Sequence, residues 1–173
     1  MSDFAQRIVG AVKLRVETFE EVEADHRATA QALAIVVMSS VAAGLGFSRT
    51  WSLSAFVVGA LAALLGWLIW ATLTYFIGTK LLPERQTRSN IGELLRTTGF
   101  ASSPGLFHVL GRVPVLGGVV SLIVSVWMLM AMVIAVRQAL DYKSTGRAVG
   151  VCVIGWLVYL AVSLFLGNLP ELQ

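Results

Sequence analysis

A single cysteine in 173 residues excludes an internal disulfide, and its place in an apolar run, at Cys152, reveals no redox compartment. Histidine is nearly as scarce. His26 and His108, with that one thiol, cannot supply a three- or four-ligand metal set. No serine nucleophile motif, phosphate-cradling glycine loop or metalloprotease helix motif occurs, so neither enzyme activity nor a cofactor is expected. Charge is thin as well, at 13% of residues against 57% hydrophobic. A globule of this size has too little interior to hide so much apolar surface in one core, and an integral membrane protein follows. Short alternating segments are missing too, which excludes a barrel and leaves an all-α polytopic helix bundle.

What charge there is sums to +3. The basic residues flank apolar blocks, where membrane orientation accounts for them, so nucleic acid is not an expected partner. Residues 1–27 contain no uninterrupted apolar run, because Asp3, Arg7, Lys13, Arg15 and Glu17 punctuate them. They are not a signal peptide. Phe4, Ile8, Val12, Phe19 and Val22 fall on roughly one side of a helix, which predicts an amphipathic, interfacial helix on the cytoplasmic surface. Its acidic end, with Glu17, Glu20, Glu21, Glu23 and Asp25, is either a solvated face or a patch for a partner.

Residues 28–173 form the membrane domain, with four evident spans at about 28–47, 52–78, 113–136 and 148–167. Trp51 and Tyr75 lie near the ends of the second, where amphipathic rings favour the headgroup layer. The stretch 91–110 is long enough to cross but polar. If it were a cytoplasmic loop, Arg137, Lys143 and Arg147 would fall outside the cell and the tail, free of Lys and Arg, inside. That inverts the positive-inside tendency. With 91–110 as a third crossing, the cytoplasmic side holds Arg7, Lys13, Arg15 and Arg27, then Lys80, Arg85 and Arg88, then Arg137, Lys143 and Arg147. Only Arg49 and Arg112 remain outside. Five transmembrane helices are therefore expected, with the N-terminus cytoplasmic and the C-terminus outside.

The third crossing could not live alone in lipid. Its apolar residues contribute about 0.3–0.6 kcal/mol each, whereas Glu93 and Arg96 cost about 2.5–3.5 kcal/mol each at mid-helix. Asn90 and Glu93 have the spacing of a capping box, and Arg96 could pair with Glu93 one turn away. Ser102-Ser103-Pro104-Gly105 breaks the helix, and the Thr97, Thr98, Ser102 and Ser103 hydroxyls can satisfy the freed backbone. Discontinuous polar helices at membrane depth line substrate or ion sites, which makes Glu93, Arg96, Thr97, Ser102, Ser103 and Pro104 the candidate intramembrane site. The competing reading is a kinked helix that satisfies only itself.

Leu95-Arg96-Thr97-Thr98-Gly99-Phe100-Ala101-Ser102-Ser103-Pro104, the Trp127 span running into Val136-Arg137-Gln138-Ala139-Leu140, and Ser144-Thr145-Gly146-Arg147-Ala148 together resemble the YIP (Ypt-interacting protein) domain family in its bacterial branch. The resemblance covers residues 28–167 and implies five membrane helices with a cytoplasmic N-terminus. Eukaryotic relatives are implicated in vesicle trafficking and bind Rab-class GTPases. This chain lacks their Asp-Leu-Tyr-Gly-Pro motif, so that role is not carried over. It implies a non-enzymatic scaffold or adaptor of the bacterial cytoplasmic (inner) membrane. A small oligomeric transporter or channel along the third helix is the alternative. Lys80, Arg85, Arg88, Arg137, Lys143 and Arg147 are expected to attract anionic lipid headgroups at about 1 kcal/mol each. Gly146 with Gly150 is a GxxxG pair; Ser40 with Gly44, Ala42 with Gly46 and Gly59 with Ala63 are small-residue pairs. Such pairs suit bundle packing, a homo-oligomer or a membrane-protein partner.

Overall fold

The computed structural model describes residues 3–48, 52–113 and 115–167, without the side chains of 162–167. Arg49, Trp51 and the tail 168–173, used in the charge and aromatic arguments, lie outside the described residues. Within them all regular structure is helical. The order is α1 (Asp3–Val12), α2 (Val16–Ala24), α3 (Ala28–Phe47), α4 (Leu53–Phe76) continued by a π turn (Ile77–Leu81), α5 (Ile91–Ala101), a 3₁₀ helix (Ser103–Arg112), α6 (Gly117–Ala139) and α7 (Thr145–Gly167).

Three helices among the described residues are long and apolar enough to cross a bilayer: α3, α4 with its π turn, and α6. The described apolar part of α7, Thr145–Ala161, is shorter, although its backbone helix runs 23 residues to Gly167. Two boundaries differ from expectation. α6 begins at Gly117, after a turn in which Val115 takes a left-handed φ of 71°, and it continues past Arg137 to Ala139. α7 begins before Ala148 because the Ser144 hydroxyl accepts from the Arg147 N–H at 3.4 Å and starts the helix a turn earlier.

The expected single N-terminal helix is two. Leu14 adopts φ 58°, reversing the chain between α1 and α2 into a short helical hairpin. Its apolar face is covered by the protein. Ala11, Phe19 and Val22 are fully buried in one cluster with Ala28, Ala32 and Ile35 of α3, Phe100 and Ala101 of α5, and Ala131 and Ala135 of α6. Trp127 of α6 donates to the Val12 carbonyl at 2.9 Å and stacks on Phe107, so the hairpin turn lies midway along α6.

α3 is the central element, and small residues set how closely its neighbours approach. Its buried positions Ala28, Ala32, Ile35, Ser39, Ala42 and Gly46 follow a heptad-like 4-3-4-3-4 spacing. The chain 91–112 runs parallel to this stripe: Gly99 meets Ala32, Gly105 meets Ser39, and the His108 carbonyl meets Gly46. Arg112 donates to the carbonyl of Ser48, just past the end of α3, at 3.2 Å. The segment thus accompanies α3 along most of its length.

A second cluster ties the opposite ends of α4, α6 and α7. Leu140 covers Gly78, and the Tyr142 hydroxyl is shared between the carbonyls of Gly78 and Leu82, at 2.8 and 2.7 Å. Burial, and then the neighbouring Glu84 carboxylate, push that phenol up to about 12, so it remains a donor. Glu84 clamps the two loops by accepting from the Lys143 and Ser144 backbone N–H groups at 3.1 and 3.3 Å.

Candidate functional site in the polar third segment

The segment starts with the expected capping box. The Asn90 side chain accepts from the Glu93 N–H, and the Glu93 carboxylate accepts from the Asn90 N–H, both at 3.0 Å. Glu93 is thereby a helix cap at the segment's end. Thr97 is fully buried and donates to the Glu93 carbonyl at 3.0 Å, the i−4 return bond available to a hydroxyl inside a helix. Ser102 donates to the Thr98 carbonyl at 3.4 Å. At Ser103 the winding tightens from α to 3₁₀, with Pro104 in the first positions of the new helix, where a missing N–H costs least. Ser103 and Pro104 are both buried, and the Ser103 hydroxyl has no hydrogen-bond partner among the described residues.

The pair with Glu93 that the spacing allows is not the contact Arg96 makes. It is 3% exposed and turns to α2, donating from Nε to the carbonyls of Val22 at 3.0 Å and Glu23 at 2.9 Å, and from Nη2 to Glu23 again. A cation held by backbone carbonyls at the C-terminus of a helix is favoured by the partial negative charge there. Arg96 is therefore the clasp that holds the N-terminal hairpin to α5.

The clasp has an electrostatic neighbour. The Glu23 carboxyl, half-buried in the last turn of α2, is pushed up to about 7, first by burial and then by the Glu93 and Asp141 carboxylates, with Arg96 opposing and Glu20 adding. A raised folded-state value means that the folded protein binds the proton more tightly than the unfolded chain. The associated stability is present below about 4.5 and is lost as pH rises to about 7. Glu23→Gln should therefore flatten this loss: unfolding curves at pH 5 and pH 8 should separate less for the variant than for wild type.

Sequence reasoning grouped Glu93, Arg96, Thr97, Ser102, Ser103 and Pro104 as one site. The structure divides them. A cavity of about 510 Å³ lies between α3, α4, α6, α7 and the third segment, and of those six residues only Ser102 lines it. Its other polar groups come from Ser39 and Ser40 of α3, Thr98, His108 and Tyr159. Trp67 on its wall donates from Nε1 to the Leu95 carbonyl and to the Thr98 hydroxyl, both at 3.2 Å. Sequence alone missed Ser39, Trp67 and Tyr159, because each sits in an otherwise apolar span where helical spacing does not say which face turns inward; the Ser40 and Gly44 pair was the nearest signal.

The basic residues also divide. Arg147 donates to the Pro83 carbonyl at 2.7 Å and pairs with Glu84 at 3.6 Å, while Arg137 donates to the Tyr142 carbonyl at 3.2 Å. Lys80, Arg85, Arg88 and Lys143 are exposed. The acidic N-terminal run is partly internal as well. Arg7, 6% exposed, lies 2.8 Å from both Glu21 and Asp25. The carboxylates of Glu21 and Asp25 more than offset its burial and raise its pKa.

The Yip1 domain profile matches residues 14–166. The chain belongs to the Yip1 domain family. That match takes in α2, the Arg96 clasp, the cavity and the Glu84 loop clamp, and it leaves out all of α1 and residues 167–173. No curated protein and no solved structure matches this Yip1 domain protein. It is an integral membrane protein of helices, as the resemblance of residues 95–104 implied.

Proposed function

We propose that this Yip1 domain protein is a non-enzymatic membrane scaffold or adaptor, built on five crossings in a bacterial cytoplasmic membrane with its N-terminus inside and its C-terminus outside. The observation that carries the scaffold reading is the use made of the polar third segment. Arg96 holds α2, Glu93 caps a helix, Thr97 bonds its own backbone, and none of the three lines the cavity. Side chains engaged in this way hold a shape rather than line a route. The five-crossing topology rests on the charge count and on the parallel course of residues 91–112 along α3. The bacterial assignment rests on the motif resemblance alone.

Partners would meet the exposed acidic residues Glu17 and Glu20 of α2 and the exposed Lys80, Arg85, Arg88 and Lys143, which also suit anionic headgroups. The GxxxG pair has room for a partner helix or a second copy: a Cβ on Gly146 or Gly150 would meet nothing closer than 3.5 Å. Cross-linking in native membranes should capture a discrete set of membrane proteins with wild type and lose some of it with Glu17→Lys plus Glu20→Lys. An identical set from both proteins would sink the adaptor reading. Reporters placed after Gln173 and within residues 141–146 should report outside and inside, and the reverse would restore four spans. The transport reading draws on the cavity, so Ser102→Leu should leave vesicle flux of ions and small solutes unchanged; a flux that wild type supports and this variant abolishes would favour transport.

A further inference from the structure

The 510 Å³ cavity has a neighbour. A second cavity of about 740 Å³ opens between α6 and α7, lined by Leu129, Met130, Val133, Val149, Cys152 and Val153, with Trp70, Met132 and Trp156 shared between the two. Both volumes fall in the range of about 300–1,000 Å³ typical of small-molecule sites. They lie between helices of which three, α3, α4 and α6, are long and apolar enough to cross a bilayer. One chamber is almost entirely apolar. The other carries hydroxyls and an imidazole but no Lys, Arg, Asp or Glu.

The direction of the hydrogen bonds sharpens this contrast. Ser39 gives its proton to the Ser102 carbonyl at 2.7 Å, Ser102 gives its own to the Thr98 carbonyl at 3.4 Å, and Thr98 gives its own to the Leu94 carbonyl. A hydroxyl whose proton is committed offers only lone pairs. At Ser39, Ser102 and Thr98 the polar chamber therefore presents acceptors, and the complement of that group is a donor. An anionic phospholipid headgroup brings only acceptors and finds no cation here, whereas an alcohol brings an O–H. At the junction of the chambers Trp70 Nε1 is a buried donor with no acceptor among the described residues.

We propose that the paired chambers bind a neutral single-chain amphiphile, a long-chain alcohol, with its hydroxyl towards Ser39, Ser102 and His108 and its hydrocarbon chain between α6 and α7. This goes beyond the scaffold reading and holds whether or not the bundle recruits partners.

Trp67, Trp70 and Trp156 border the site, so bromine carried on a bound chain quenches their fluorescence. The full chain in phosphatidylcholine nanodiscs is titrated with 9,10-dibromostearyl alcohol, with its methyl ether and with a dibrominated phosphatidylcholine. The alcohol should quench saturably, with half-saturation at a mole fraction at least about fivefold below either control. Gly66, which lines the polar chamber and has nothing within 4 Å of an added Cβ, provides a filling variant. Gly66→Leu should remove the saturable component. Because the methyl ether removes the donor and adds one methyl group while the protein stays wild type, the comparison stands even if a variant folds poorly. Quenching that rises linearly and equally for all three probes is that of ordinary boundary lipid and overturns the proposal; tighter binding of the ether than of the alcohol overturns the donor argument.

Discussion

Arg96→Ala should release the α1–α2 hairpin from α5 and produce one of the largest losses of stability of any single substitution in the chain. The guanidinium is buried and bridges two backbone carbonyls at the end of α2. A hydrogen bond to a charged group is worth about 1.5–3 kcal/mol. The variant loses three such bonds, leaves the Val22 and Glu23 carbonyls without their donor, and removes the positive charge that opposes Glu93 and Asp141 in the surroundings of Glu23. Phe19 and Val22, fully buried against α5 and α6, then lose the contact that fixes their register. Limited proteolysis should begin to cut near Leu14, and backbone amides of α2 should exchange faster by an order of magnitude or more, while exchange in the middle of α6 changes little. Arg96→Lys should recover only part of the protection, since an ammonium is a point charge and lacks the planar fork that spans both carbonyls. Unchanged α2 exchange in Arg96→Ala would show that apolar packing alone holds the hairpin.

The second large effect is expected from a single methyl group. A Cβ on Gly46 would sit 1.9 Å from the His108 carbonyl oxygen and 2.9 Å from its carbon. Both atoms are backbone, so no rotamer change can make room, and α3 must move away from the 3₁₀ helix. Overpacking of this kind costs about 1–3 kcal/mol, occasionally more. Here the displacement propagates, because Ser39 and Gly105 meet two turns lower on the same stripe and Ala32 and Gly99 two turns below that. Gly46→Ala should lower the midpoint of unfolding in detergent by several degrees. Gly118→Ala, where an added Cβ meets nothing within 4 Å, should leave it in place and serves as the control. Equal midpoints for the two variants would mean that the α3 seam is looser than its geometry implies.

The two results probe different kinds of legibility. The heptad-like stripe of α3 was open to inspection as small residues at repeated spacing, and Ala42 with Gly46 was recognised as a pair. Its partner was not. The GxxxG at Gly146 and Gly150 carries the stronger motif, yet nothing packs tightly on it, while the closest backbone approach to a described glycine, at Gly46, has no motif across the contact. A motif records that a helix can be approached, and the path of the rest of the chain decides where the approach happens. The Asn90–Glu93 capping box was readable because both partners lie within one turn. The Arg96 contacts were not, because Val22 and Glu23 are more than 70 residues away and are met through their carbonyls, which are the same for any side chain.

The sequence by itself determined that this is a helical membrane protein, which apolar blocks its helices occupy, that residues 91–110 need shelter, and where one helix cap forms. These follow from composition, from period and from contacts within a turn. Tertiary structure alone decided that the shelter for Arg96 comes from a two-helix N-terminal hairpin, and that among the six candidates Arg96 is a clasp, Glu93 a cap and only Ser102 lines the cavity. The physical reason is that a polar residue in an apolar span must be satisfied, but sequence does not specify by whom. That choice falls to whichever carbonyl, hydroxyl or glycine the packing of α3 brings within reach.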